Sequence, residues 1–204
     1  MSFHQLYTPE WAIFRNAVSE LIGLHLLDVF DLLHSVPSEP LPEDGSENER
    51  RKISTTVYCA ERDLLEHQSR IQSGAGQPSY GRLFSYAAML YITVALRDFP
   101  LGAARLGSVV RWLDDELTSL IHKKSLDEMS QAELVLILWM RMVQLIATPK
   151  ERLGPQLVPS LRSISKALDI ESVASLASTL RQIVWSDGLI TSCLERLFSE
   201  SAVS

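Results

Sequence analysis

The run from Ser130 to Ala147, SQAELVLILWMRMVQLIA, constrains the fold more than any other part of the chain. Ser130 and Glu133 stand three residues apart in the pattern of a capping box, which marks a helix start. Beyond that cap nearly every position is apolar. On a 100° wheel the only polar edge is Glu133, Arg141 and Gln144, with Ile137 between them. A helix that is apolar almost all round is buried on most sides. It is not a membrane span, because Arg141 and Gln144 interrupt a run that would need about 20 apolar residues. The expectation is the central helix of a soluble, all-α domain.

The rest of the chain supplies helices to cover it. Thr8 and Pro9 form a helix start, with Thr8 as N-cap and proline at the first helical position. Trp11, Phe14, Val18, Leu21, Ile22, Leu26, Val29, Phe30 and Leu33 recur at helical spacing, predicting one helix to about Ser35, stopped by Pro37. PSEPLPEDGSEN, residues 37–48, has no apolar period and reads as an acidic, proline-rich surface loop. It sets the first helix apart as an arm, an arrangement that allows exchange between protomers of a homodimer. Further helices are expected over 49–73, 79–98 and 103–123, then the central helix. A turn beginning at Thr148-Pro149, a break, and helices over 156–168, 170–185 (capped by Asp169) and 189–200 complete the chain. The organisation is one domain: an N-terminal helix (1–36), the loop (37–48) and a helical core (49–204). Seven to nine helices in a compact irregular array, with no sheet, are expected.

Composition excludes several functions. Hydrophobic residues make up 46% of 204, enough for a core without disulfides or metals. The two cysteines, Cys59 and Cys193, have no zinc-ligand spacing and read as buried thiols suited to a reducing compartment. A net charge of −6 argues against a broad phosphate-binding surface, hence against direct nucleic-acid binding. No basic segment followed by an apolar run opens the sequence, which predicts an intracellular protein of cytoplasm or nucleus.

Catalytic motifs are missing. There is no GxSxG elbow, P-loop, GxGxxG or HExxH, and the five histidines share no metal-ligand spacing. His25, within the apolar first helix, reads as a hydrogen-bonded core or interface histidine. Asp114-Asp115-Glu116 is similar to the acidic cluster of terpene cyclases. The positions that follow are Leu117 and Thr118, however, and Arg111 is spaced to form a surface ion pair with the aspartates. A solvated face is the expectation there, with no metal and no cofactor. Arg141 reads as half of an ion pair, as a solvent-facing edge, or as an anchor at the wall of a pocket between helices. In the last case Tyr86, Tyr91, Trp112, Trp139 and Trp185 are the candidate aromatic walls, and Asp187 a further polar group.

The order of segments carries a resemblance. RLFSYAAMLYITVALRDFP is followed by LGSVVRWLDDEL, then ELVLILWMRMVQLIA. A proline-broken stretch then leads to SISKALDIESVASLASTLRQIVWSDGLITSCLERLF. This series, over roughly residues 50–199, resembles the C-terminal effector region of fungal binuclear zinc-cluster transcription factors. Leu138-Trp139 stand at the family's central helix, and Val184-Trp185, Asp187, Cys193 and Phe198 at its closing motif. The chain departs from the family in lacking the six-cysteine DNA-binding cluster. The resemblance implies a regulatory or ligand-sensing helical module without its own DNA-binding domain, its partner a protein or a hydrophobic small molecule. The alternative is a cofactor-free cyclase, isomerase or pericyclase of fungal secondary metabolism, working in an apolar pocket between helices.

Overall fold

A computed structural model describes residues 9–37, 46–71, 79–97, 104–149 and 155–185. Among these residues are eight α-helices and no strand. They are α1 (Pro9–Ile22), α2 (Leu24–His34), α3 (Glu47–Ile71), α4 (Tyr80–Tyr91), α5 (Ala104–Lys123), α6 (Gln131–Ala147), α7 (Leu157–Ala167) and α8 (Val173–Arg181). The α4 helix continues into a wider π-helical turn, Ile92–Leu96, and a short 3₁₀ turn, Leu126–Glu128, leads from α5 to α6. No described helix is long and apolar enough to cross a membrane.

The predicted central helix is α6. Every residue from Ala132 to Ala147 is buried, including its three polar ones. Helices α4, α5, α7, α1 and α8 surround it, and α4 stands between it and α3, which in turn carries α2. The aromatic layer over α6 comes from two sides: Phe84 and Tyr91 of α4 lie 5.7 and 5.9 Å from the Trp139 ring, and Tyr91 lies 6.0 Å from Trp185. Such buried rings contribute most of the hydrophobic stabilisation per residue.

Several boundaries differ from those expected. The first helix is two. Gly23 takes φ 87° and ψ 150°, a region open in practice only to glycine, and the chain turns there. The apolar period runs on across the break because both helices face the same core. The turn brings the last carbonyl of α1 against the start of α4: a Cβ on Gly81 would lie 2.6 Å from the oxygen of Ile22. Glycine at both positions therefore permits one close crossing. The α3 helix, expected from residue 49, begins at Glu47, inside the stretch read as loop, because Ser46 and Glu49 make a capping box.

Asp169 does not cap the eighth helix. It has φ 52° and ends the seventh, where the amide of Ile170 donates to Ser165 O (2.9 Å) and that of Asp169 to Lys166 O (3.1 Å), the Schellman arrangement. Ser172 caps α8 instead, with Ser175 returning the bond. That helix stops at Arg181, and Val184 and Trp185 run on without helical bonding. Thr148 closes α6, its hydroxyl donating to Gln144 O at 2.6 Å. The Thr8 cap, most of the acidic loop, and the expected helix over 189–200 lie outside the described residues.

Candidate functional site

The polar edge of α6 resolves into two separate clusters, each made with the helix-bearing segments before it. The first is at the N-terminus. Ser130 and Glu133 form the expected capping box: the Ser130 amide donates to Glu133 Oε2 (2.7 Å), and the Glu133 amide to Ser130 Oγ (3.3 Å). Two further donors reach the same carboxylate. Lys124 Nζ bonds both oxygens, at 2.7 and 2.8 Å, and the Tyr80 hydroxyl donates to Oε1 at 2.8 Å. Burial alone would push the Glu133 carboxyl up, but Lys124, the Ser130 amide, Tyr80 and the Ser130 hydroxyl together hold it down at about 2. Burial, and then the carboxylate it faces, push the Tyr80 phenol up.

That arrangement predicts an acid transition. A carboxyl at about 2 in the fold, against 4.5 for the free group, stabilises the fold in full above pH 4.5. The contribution is lost as pH falls through about 2, and amounts to about 3 kcal/mol. Glu133→Gln removes it at neutral pH. Urea unfolding at a series of pH values should give a variant less stable than wild type at neutrality, with a stability curve flatter in this acid window.

The second cluster surrounds Arg141, whose residue is 1% exposed. Its Nη1 donates to Asp114 Oδ1 (2.5 Å) and to Gln144 Oε1 (2.8 Å), and its Nη2 to Thr118 Oγ1 (2.8 Å). Asp114 and Thr118 sit one turn apart on α5, so that helix presents an acceptor pair to the guanidinium. Burial lowers the Arg141 pKa and Asp114 opposes the shift; guanidinium remains protonated. Its Nε is buried with no acceptor. Asp114, partly exposed, is thus the ion-pair partner of Arg141, while Asp115 stands on the solvated face expected of the cluster, and Arg111, expected to pair with the aspartates, is exposed. No three acidic, histidine or cysteine side chains among the described residues are placed to hold a metal.

The candidate aromatic residues divide. Tyr91, Trp139 and Trp185 are at most 1% exposed and pack together in the interior. Trp139 Nε1 donates to Val184 O (2.8 Å), while Trp185 Nε1 is buried without an acceptor. Tyr86 points elsewhere: its ring lies 4.4 Å from that of Trp112 of α5, and the Arg82 guanidinium stands over the same tryptophan at 4.9 Å. Arg141 belongs to neither group. Asp187, Cys193 and Phe198 lie outside the described residues, and Cys59 is half-buried where a buried thiol was expected.

The sequence pairs Asp114 with Arg111 and assigns no partner to Arg141, nor to Glu133 beyond Ser130. Asp114 and Thr118 do carry a signal: they border the α5 stripe of Leu113 and Leu117 at one-turn spacing. Lys124, one residue past the end of α5, carries no signal beyond a charge suited to a helix C-terminus. Compared with models of known families, with curated proteins and with solved structures, the chain matches none.

Proposed function

We propose that the chain is a helical regulatory module, a transcription-factor-like effector domain without a DNA-binding domain of its own, acting through a protein partner. The observation that carries this reading is the division between interior and surface. Within the central helix, the buried polar side chains are turned inward: Glu133 bonds Tyr80 and Lys124, Arg141 bonds Asp114 and Thr118 of α5, and Gln144 accepts from Arg141. By contrast, large apolar side chains stand in solvent on the outer helices, among them Leu24 (76% exposed), and Tyr58 and Leu65 (62% and 59%). Tyr58 and Leu65 are seven residues apart on α3 and share one face. Paired exposed side chains on a helix face suit recognition by a partner better than they suit solvent.

The test is to tether the chain to an unrelated DNA-binding domain upstream of a reporter gene. The expected result is output different from that of the domain alone, reverting when Tyr58→Arg and Leu65→Glu are combined. Reporter output identical to that of the domain alone would sink the reading.

A second reading, the cofactor-free enzyme, draws on the buried donors that lack acceptors, Arg141 Nε and Trp185 Nε1. A bound polar ligand would satisfy one of them.

A further inference from the structure

The α2 helix is held at both ends by histidines. Near its start, the His25 ring stacks on His67 of α3, with centroids 4.5 Å apart and planes inclined by 25°. His67 is 8% exposed and its Nδ1 is buried with no hydrogen-bond partner. At the other end, His34 Nδ1 lies 3.0 Å from Ile183 O, so this nitrogen carries the proton and donates. The His34 ring packs against Trp11 (5.0 Å) and Phe30 (6.3 Å). Between the two histidines, Leu26, Val29, Phe30 and Leu33 are fully buried. The helix hinges on Gly23, whose backbone is already outside the helical region.

We propose that α2 is an acid-released clasp: protonation of His67 and His34 undocks it about Gly23 and uncovers the apolar face beneath. His67 faces His25 from α2 and Arg70 from its own helix, and both oppose a charge there. The nearby carboxylates of α3 are engaged, Asp63 by Arg62 and Glu66 by Arg70. On α2, Asp28 is exposed, one turn beyond His25. Of the elements packed on α3's other side, α4 has Arg82 over Trp112, and the π-helical turn is followed by Arg97, which pairs with Glu61. Around His34, burial opposes the charge, while the Ile183 carbonyl and Asp31 favour it; Asp31 is itself bonded by Arg15 of α1. Burial dominates at both rings and lowers both pKa values below 6.5. A group lowered in this way contributes its stability in full above its unfolded value, and the contribution is lost as pH falls through the folded value. Release therefore sets in below pH 6.5, on the acid side of neutrality.

Amide hydrogen exchange on the intact chain tests this. Corrected for intrinsic rates, protection of α2 relative to α6 should fall about tenfold or more between about pH 7.5 and about pH 5. In the double variant His34→Gln, His67→Phe, which keeps a donor for Ile183 O and a ring for the stack, α2 should retain its protection at the lower pH. Should that variant fail to fold at neutral pH, imidazole resonances of the wild type replace it: His34 and His67 must titrate in step with the exchange. Unchanged α2 protection at about pH 5, a folded double variant that loses it as wild type does, or histidines that titrate apart from the exchange would each overturn the proposal.

Discussion

Asp114→Ala lowers the free energy of unfolding by about 3 kcal/mol, whereas Arg141→Met costs less than about 1.5 kcal/mol. The asymmetry follows from burial. Arg141 is 1% exposed, and among the described residues Asp114 is the carboxylate that pairs with it. Without Asp114 the charge remains in the interior with two neutral acceptors, Thr118 and Gln144. Methionine removes the charge, keeps most of the volume, and leaves Asp114 free to hydrate at the partly open face of α5. In the double variant the Asp114 substitution should then cost almost nothing. Denaturant unfolding of the two singles and the double gives the coupling energy directly. Additive costs would mean that Asp114 does not carry the charge of Arg141.

Trp139→Ala should have the largest effect on stability, about 4 kcal/mol or more. Its ring is fully buried and meets Phe84 and Tyr91, so truncation opens a cavity in the middle of the aromatic layer. It also strips the Val184 carbonyl of its donor. Trp139→Phe separates the two contributions: the ring stays, the donor goes, and about half the loss is expected. Thermal unfolding of both variants, read by circular dichroism at matched pH, checks the order. A phenylalanine variant as unstable as the alanine one would place the energy in the hydrogen bond and not in packing.

The central helix and its cap were legible because both are local. A capping box lies within four residues, and an uninterrupted apolar run implies burial whatever the neighbours are. What the polar edge meets was not legible. The period of α6 places Arg141 and Gln144 on one side but carries no information about α5, so Asp114, Thr118 and Lys124 emerge only from the packing of one helix on another. The break at Gly23 was hidden for a different reason: apolar spacing before and after it keeps one phase. The split between Tyr86 and Tyr91 was legible in principle, since five residues turn a helix by about 140° and place the two rings on different sides. The resemblance to an effector region rests on packing motifs, and such motifs describe how a core is filled, not what its surface engages.

The carbonyls of Ile183 and Val184 accept from different parts of the chain, the first from His34 and the second from Trp139. One short stretch of backbone thus fastens an early helix and the middle of the chain at once, across sequence separations of 149 and 45 residues. During synthesis neither fastening exists until residue 184 has been made and has cleared the ribosome. Until then α2 and α6 wait with their apolar faces incompletely held. Closure of these two contacts is timed by translation and not by the formation of individual helices.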